Sequence, residues 1–227
     1  MKIPLFAKAF QIAYFLGSLD LSDRLKVAEI VRKELGNVLD GQPTILPIPD
    51  DAPLEIPRVI LTSKNGEFIC NISANRFDFI NKLPEGKEGM NISHVEKNLP
   101  GIINKLNKLL FAGLNATSYR LGLIINYTFT PKEGGLSFLK SNLLGDENDI
   151  ASELQMHKLI HGQIKSLKVN NWVRLIAVET KPLLIVSDIN TTQTEKYEIN
   201  NELALAFFEQ ALPVSLKSIE EVLVKEN

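Results

Sequence analysis

Two apolar runs, Arg58-Val59-Ile60-Leu61-Thr62 and Glu67-Phe68-Ile69-Cys70-Asn71-Ile72, flank an Asn65-Gly66 dipeptide and commit this stretch to an antiparallel hairpin. Asn-Gly is favoured where both central residues of a tight turn need positive φ, and the flanking β-branched and aromatic residues suit a pleated, half-buried surface. Alternation puts Phe68, Cys70 and Ile72 on one face, Asn71 and Ser73 on the other. The pattern continues through Arg76-Phe77-Asp78-Phe79-Ile80, after a bulge or turn at Ala74-Asn75. Upstream, Pro43, Pro47, Pro49 and Pro53 exclude helix, and Pro47 to Pro57 is too proline-dense for a central strand, so an extended edge or crossing loop is expected there.

Helical and strand periods alternate on both sides of this hairpin. Ala9 to Leu16 is a strand-like apolar run closed by Gly17-Ser18. In the helix that follows, Leu21, Leu25, Ala28, Val31 and Leu35 share a face, Asp20 or Ser22 can cap the start, and Gly36 suits a left-handed C-cap. Leu99, Ile102, Ile103, Leu106, Leu109 and Leu110 form the stripe of a second long helix, with Pro100 in its first turn or kinking it and Gly113 at its end. Tyr119 to Phe129 alternates as a strand, with Tyr119, Leu121, Leu123, Ile125 and Tyr127 on one side.

The order strand, helix, hairpin, helix, strand is buried most economically by helices on one face of a mostly antiparallel sheet, an α+β fold with a ferredoxin-like N-terminal unit over residues 1–130. Thr130 to Asp149 is a polar connector with a short helical candidate at Leu136 to Leu143. A second, smaller α+β unit over 150–227 follows. Turns at Asn170-Asn171 and Thr180-Lys181-Pro182 separate strands Ile164 to Val169, Trp172 to Glu179 and Leu183 to Ile189. A helical tail carries Leu203, Phe207 and Ala211, is interrupted at Pro213, and resumes with Leu216, Ile219 and Leu223. No fixed-period repeat is visible.

With 25 basic and 27 acidic residues, the net charge of −2 offers no strongly counterion-releasing surface, so nucleic acid is a disfavoured partner. One cysteine, Cys70, cannot staple a fold and sits where a core hydrophobe is wanted, which fits a reducing compartment. The N-terminal segment has Pro4 and Lys8 where a signal peptide needs an apolar run, and no window spans a bilayer. A cytoplasmic protein without membrane partners is expected.

Chemistry-bearing patterns are few. If Ala151 to His161 is a helix, Glu153, His157 and His161 lie on one face at four-residue steps and could hold a metal for a hydrolase; Leu154, Met156 and Ile160 equally permit a strand, which would scatter them. A zinc protease would need Glu at position 158, which is Lys158. His94 reads as a surface or helix-start residue, and Asp50-Asp51 as a solvated pair. Gly134-Gly135 lacks the Lys-Ser or Lys-Thr of a phosphate loop, no serine sits in a nucleophile elbow, and alternation places Tyr119 and Tyr127 opposite Arg120. No residue is assigned a catalytic, cofactor-binding or metal role, and no cofactor is expected.

Ile56-Pro57-Arg58-Val59-Ile60-Leu61-Thr62-Ser63 with Asn65-Gly66, Ile72-Ser73-Ala74-Asn75-Arg76-Phe77, Tyr119-Arg120-Leu121-Gly122-Leu123-Ile124-Ile125-Asn126 and Val186-Ser187-Asp188-Ile189-Asn190 together resemble a sporadically distributed, uncharacterised family of bacterial proteins. Ile124 stands where that family tends to have arginine. The resemblance implies a bacterial source and brings no activity. The expectation is a non-catalytic protein-interaction module, with a protein partner or self-association as a dimer; the alternatives are a small-ligand-binding protein with a pocket between the two halves, and the metal-assisted hydrolase using Glu153, His157 and His161.

Overall fold

Strict alternation of apolar side chains along long strands sets the architecture of the computed structural model, which describes residues 3–49, 51–83, 87, 89–144, 150–179, 181–195 and 197–224. In chain order the elements are β1 (Phe6–Leu16), α1 (Arg24–Glu34), β2 (Thr44–Ile45), β3 (Val59–Thr62), β4 (Phe68–Ile72), β5 (Arg76–Lys82), β6 (Met90–Asn91) and α2 (Ile92–Asn107). They continue with β7 (Ser118–Phe129), α3 (Gly135–Leu139), β8 (Glu153–Ile164), β9 (Leu167–Val178), β10 (Leu183–Thr191) and α4 (Asn201–Leu223). All strands join one ten-stranded antiparallel sheet in the order β2-β3-β4-β5-β1-β7-β10-β9-β8, with β6 pairing beside β1. Within it β1, β4, β5 and β7, with α1 and α2 between them, form the expected ferredoxin-like unit, its last strand beside its first.

The helices lie on one face. Tyr14, Phe77, Leu121 and Tyr127 point into that layer, where Tyr14 meets Asn107 of α2 and Phe208 of α4, and Phe129 meets Phe138 of α3 edge-on at 5.4 Å. Val59 and Leu61 carry the same face outward beneath α1. Burial of this continuous apolar layer is the main stabilising contribution.

The two halves of the chain repeat one plan. β1-α1-β3-β4-β5-α2 and β7-α3-β8-β9-β10-α4 follow the same order of elements, and the sheet runs inward as β3-β4-β5-β1 from one side and β8-β9-β10-β7 from the other. β1 and β7 pair antiparallel at the centre, with Gln11 opposite Ile124 and Ala13 opposite Gly122. Each central strand sends a buried tyrosine hydroxyl to its own half's last helix: Tyr14 donates to Asn107 Oδ1 at 2.6 Å, and Tyr127 shares a 3.1 Å hydrogen bond with Ser215. Both of these helices are capped by an asparagine, Asn91 and Asn200, and both contain a proline.

Several local expectations are corrected. α1 is capped by Asp23, whose carboxylate accepts from Lys26 N–H at 2.9 Å, while Asp20 takes Ser22 N–H in the turn before; of the expected stripe Leu21, Ala28, Val31 and Leu35 are buried and Val27 joins them, leaving Leu25 63% exposed. In the hairpin turn only Gly66 has positive φ, because the connection is longer than two residues: Gly66 N–H donates to the Ser63 carbonyl at 3.0 Å, which puts Lys64 and Asn65 at the corners and leaves Gly66 alone in the left-handed region. The chain reverses after Ile72, so β5 is a separate strand antiparallel to β4 rather than a continuation. α2 begins at Ile92 with Pro100 well inside it, and α4 runs through Pro213 unbroken. An interior proline costs a helix about 3 kcal/mol, and Phe207, Phe208, Ala211, Leu212, Ser215 and Ile219, buried on both sides of Pro213, offset it. Asn170-Asn171 is mid-strand, and the turn falls at Lys165-Ser166, with Lys165 at φ 53. The Asn171 amide is satisfied in the core, donating to Ser218 Oγ at 2.7 Å.

Candidate functional site

With the helices on one face, the alternate side chains of each strand are left on a face that, among the described residues, no helix covers. Its register is continuous: Asn71, Asp78, Ala13, Gly122, Asn190, Asn170 and His161 form one row across the sheet. Ile80, Gln11, Ile124, Asp188, Trp172 and Leu159 form the next.

Near the centre, Phe15 of β1 lies between two arginines of the flanking strands. The guanidinium carbon of Arg76 is 4.8 Å from the ring centroid and that of Arg120 4.5 Å, both within cation–π range. Each cation is held from behind. Arg76 pairs with the Asp78 carboxylate at 2.8 Å, and Asp78 also accepts from Gln11 Nε2 at 2.8 Å. Arg120 donates to the Thr191 carbonyl and to Asn190 Oδ1, both at 3.1 Å, and Asn190 in turn donates to Asp188 at 3.0 Å. Burial pulls the Arg120 pKa below the usual arginine value and Arg76 acts the same way, while Asp188 opposes them. Arginine nonetheless stays charged near neutrality.

Beyond Arg120 the face opens into a pocket of about 590 Å³, lined by Arg120, Arg174, Trp172, His161, Asn170, Asp188, Asn190 and the Thr192-Gln193-Thr194 segment. Trp172 forms an apolar wall, and His161 Nδ1 is hydrogen-bonded to Asn170 at 2.9 Å. The Thr192 hydroxyl oxygen is buried and, among the described residues, has no hydrogen-bond partner. The pocket is lined from β7, β10, β9 and β8, so Arg120 of the 1–130 unit faces side chains of the 150–227 unit across it.

No protein-family model and no curated protein matches this chain.

Glu153, His157 and His161 all fall on β8, on the uncovered face but spread along the edge. Four residues of strand cover about 13 Å, whereas zinc needs its ligands at roughly 2 Å, so the three side chains do not converge. Among the described residues no group of three His, Cys, Asp or Glu is placed to hold a metal ion. Cys70 is buried under the helices, where burial first and Asp78 second push its thiol pKa up, away from nucleophile chemistry. His94 is exposed in the first turn of α2, Asp51 is exposed, and Asp50 lies outside the described residues. Gly134 caps α3 and Gly135 begins it, where a Cβ would stand 2.8 Å from the Leu183 backbone nitrogen, so Gly135 allows close packing against β10.

Sequence reasoning placed Tyr127 correctly opposite Arg120 and looked for Arg120's aromatic partner on its own strand. That partner is Phe15, more than a hundred residues earlier. Phe15, Arg76, Trp172, Arg174 and Asp188 were missed because they join Arg120 only through the pairing of β7 with β1 and β10, strands distant from it in sequence.

Proposed function

We propose that this chain is a non-catalytic protein-interaction module that docks an acidic segment of a protein partner on the helix-free face of its sheet. The observation that carries this reading is the Arg76-Phe15-Arg120 stack, two cations fixed over one ring on a surface no helix covers. Charge complementarity selects the partner. Arg76 is neutralised by Asp78, but Arg120, Arg174 and His161 share a pocket in which Asp188 is the one carboxylate. Guanidinium groups recognise carboxylates through paired hydrogen bonds, and holding them in place beforehand lowers the ordering cost of binding.

Nucleic acid is left out of the proposal because the net charge of −2 supplies no extended basic surface. Among the described residues no helix is long and apolar enough to cross a membrane. A cytoplasmic setting, suggested by the lone buried cysteine, and membership of the uncharacterised bacterial family belong to the same proposal.

Selection of a displayed peptide library against the purified protein tests it. Enriched peptides carry Asp and Glu, and binding is lost in an Arg120→Ala, Arg174→Ala double variant of unchanged thermal stability. Enrichment without acidic bias, or binding that survives the double substitution, overturns the reading. A second reading, a small-ligand-binding protein, is favoured by the pocket beside Trp172 and the unpartnered Thr192 hydroxyl. Native mass spectrometry of protein purified from its own host would then show a retained small-molecule mass.

A further inference from the structure

The two ends of the sheet are finished differently. At one end β2 is two residues long and bracketed by Pro43 and Pro47, a common way to blunt an edge. At the other end β8 extends for twelve residues, contains no proline, and pairs with β9 along its whole length without a bulge. Among the described residues its far side meets no other strand of the sheet.

The phase of this free edge is fixed. Glu179 N–H donates to the Ser152 carbonyl at 3.1 Å, so even-numbered residues of the strand bond inward to β9. Ile164 opposite Leu167 closes the hairpin in the same phase. The backbone N–H and C=O of Glu153, Gln155, His157, Leu159, His161 and Gln163 therefore point away from the sheet. Within that outward set Leu159 alone has an apolar side chain, and it is 37% exposed.

We infer that β8 is a homodimerisation edge, on which two copies of this chain pair β8 to β8 antiparallel about a two-fold axis at Leu159, joining two ten-stranded sheets into one. In antiparallel pairing directly opposed residues share a face, so a two-fold axis perpendicular to the sheet passes between two copies of one residue. An axis on Lys158 would oppose two ammonium groups. An axis on Leu159 sets that leucine against its own copy, puts Lys158 opposite Ile160 of the second copy and Gln155 opposite Gln163, and makes no like-charged lysine or carboxylate pair. Every other register leaves Leu159 against a polar side chain. The edge does not include the Phe15 stack, although its His161 also lines the pocket beside Arg120, and the test reads oligomeric state rather than peptide binding.

Sedimentation velocity of the whole chain tests it, read against a Leu159→Pro variant. Because the Leu159 N–H points outward, proline there removes a donor to the second copy and none to β9. The wild type sediments as a dimer and Leu159→Pro as a monomer with the same far-ultraviolet circular dichroism. A Leu159→Cys variant, whose facing Cα atoms would be about 5.5 Å apart, becomes a disulfide-linked dimer on mild oxidation. A wild type that is monomeric at its highest soluble concentration, a dimer that persists in Leu159→Pro, or a Leu159→Cys dimer that does not cross-link overturns the inference.

Discussion

Two phenol hydroxyls are buried at the centre of the sheet, and each depends on one polar partner from a helix. Tyr14→Phe would leave Asn107 Oδ1 without its donor while Asn107 Nδ2 keeps its bond to the Asn201 carbonyl. A buried acceptor stranded in this way costs about 1–3 kcal/mol, and urea unfolding is expected to show a loss of that size for Tyr14→Phe and a comparable one for Tyr127→Phe. Burial also raises the pKa of both phenols above 10.0 and of the Cys70 thiol above 9.0. An unfolded chain ionises these groups at their ordinary values while the folded chain keeps the protons, so the unfolded state binds fewer protons in alkali. Their contribution to stability is complete below those ordinary values and is lost as pH rises through and beyond them. Urea midpoints should fall steadily across the alkaline range, and a flat profile there would contradict the assignment. None of these hydroxyl partners was legible in the sequence, because Tyr14 and Asn107 are 93 residues apart and meet only once β1 and α2 are layered.

Elements defined by local period were legible, and those overridden by packing were not. The hairpin of β3 and β4, the stripe of α2 and the alternation of β7 follow directly from apolar spacing. Asn170-Asn171 and Pro213 carry strong break signals in sequence, yet Asn171 finds Ser218 in the core and Pro213 sits in a helix held by the sheet beneath it. The turn after β3 provides a separate test. Gly66 is at φ 71 with nothing within 4 Å of a Cβ built on it, so substitution there meets conformational strain and no clash. Gly66→Ala should cost about 1–2 kcal/mol, with Gly66→Asn recovering part of it because asparagine tolerates the left-handed region. Equal thermal stability of wild type and Gly66→Ala would show that the turn does not hold that conformation.

The whole molecule is a duplicated plan built around the β1-β7 pair, with its helices on one side. The α+β class with helices on one face was readable from the order of periods, but the duplication was not. Its halves share element order, buried tyrosines and asparagine caps while their loops and strand lengths differ, so no fixed sequence period survives. The uncovered face follows from the same layering: side chains that alternate away from four helices on ten strands converge into one surface. Exposed charges interacting on that surface are screened by salt, so binding of an acidic peptide should weaken as ionic strength rises, and salt-independent affinity would argue against the arginines.

The most direct test of the docking face is amide chemical-shift mapping of the labelled protein titrated with the most enriched acidic peptide from the display selection. The account predicts that the perturbed amides cluster around Phe15, Arg76, Arg120, Trp172 and Arg174, with α1, α2 and α4 unaffected. Shifts confined to the helix layer, with those five residues unmoved, would contradict it.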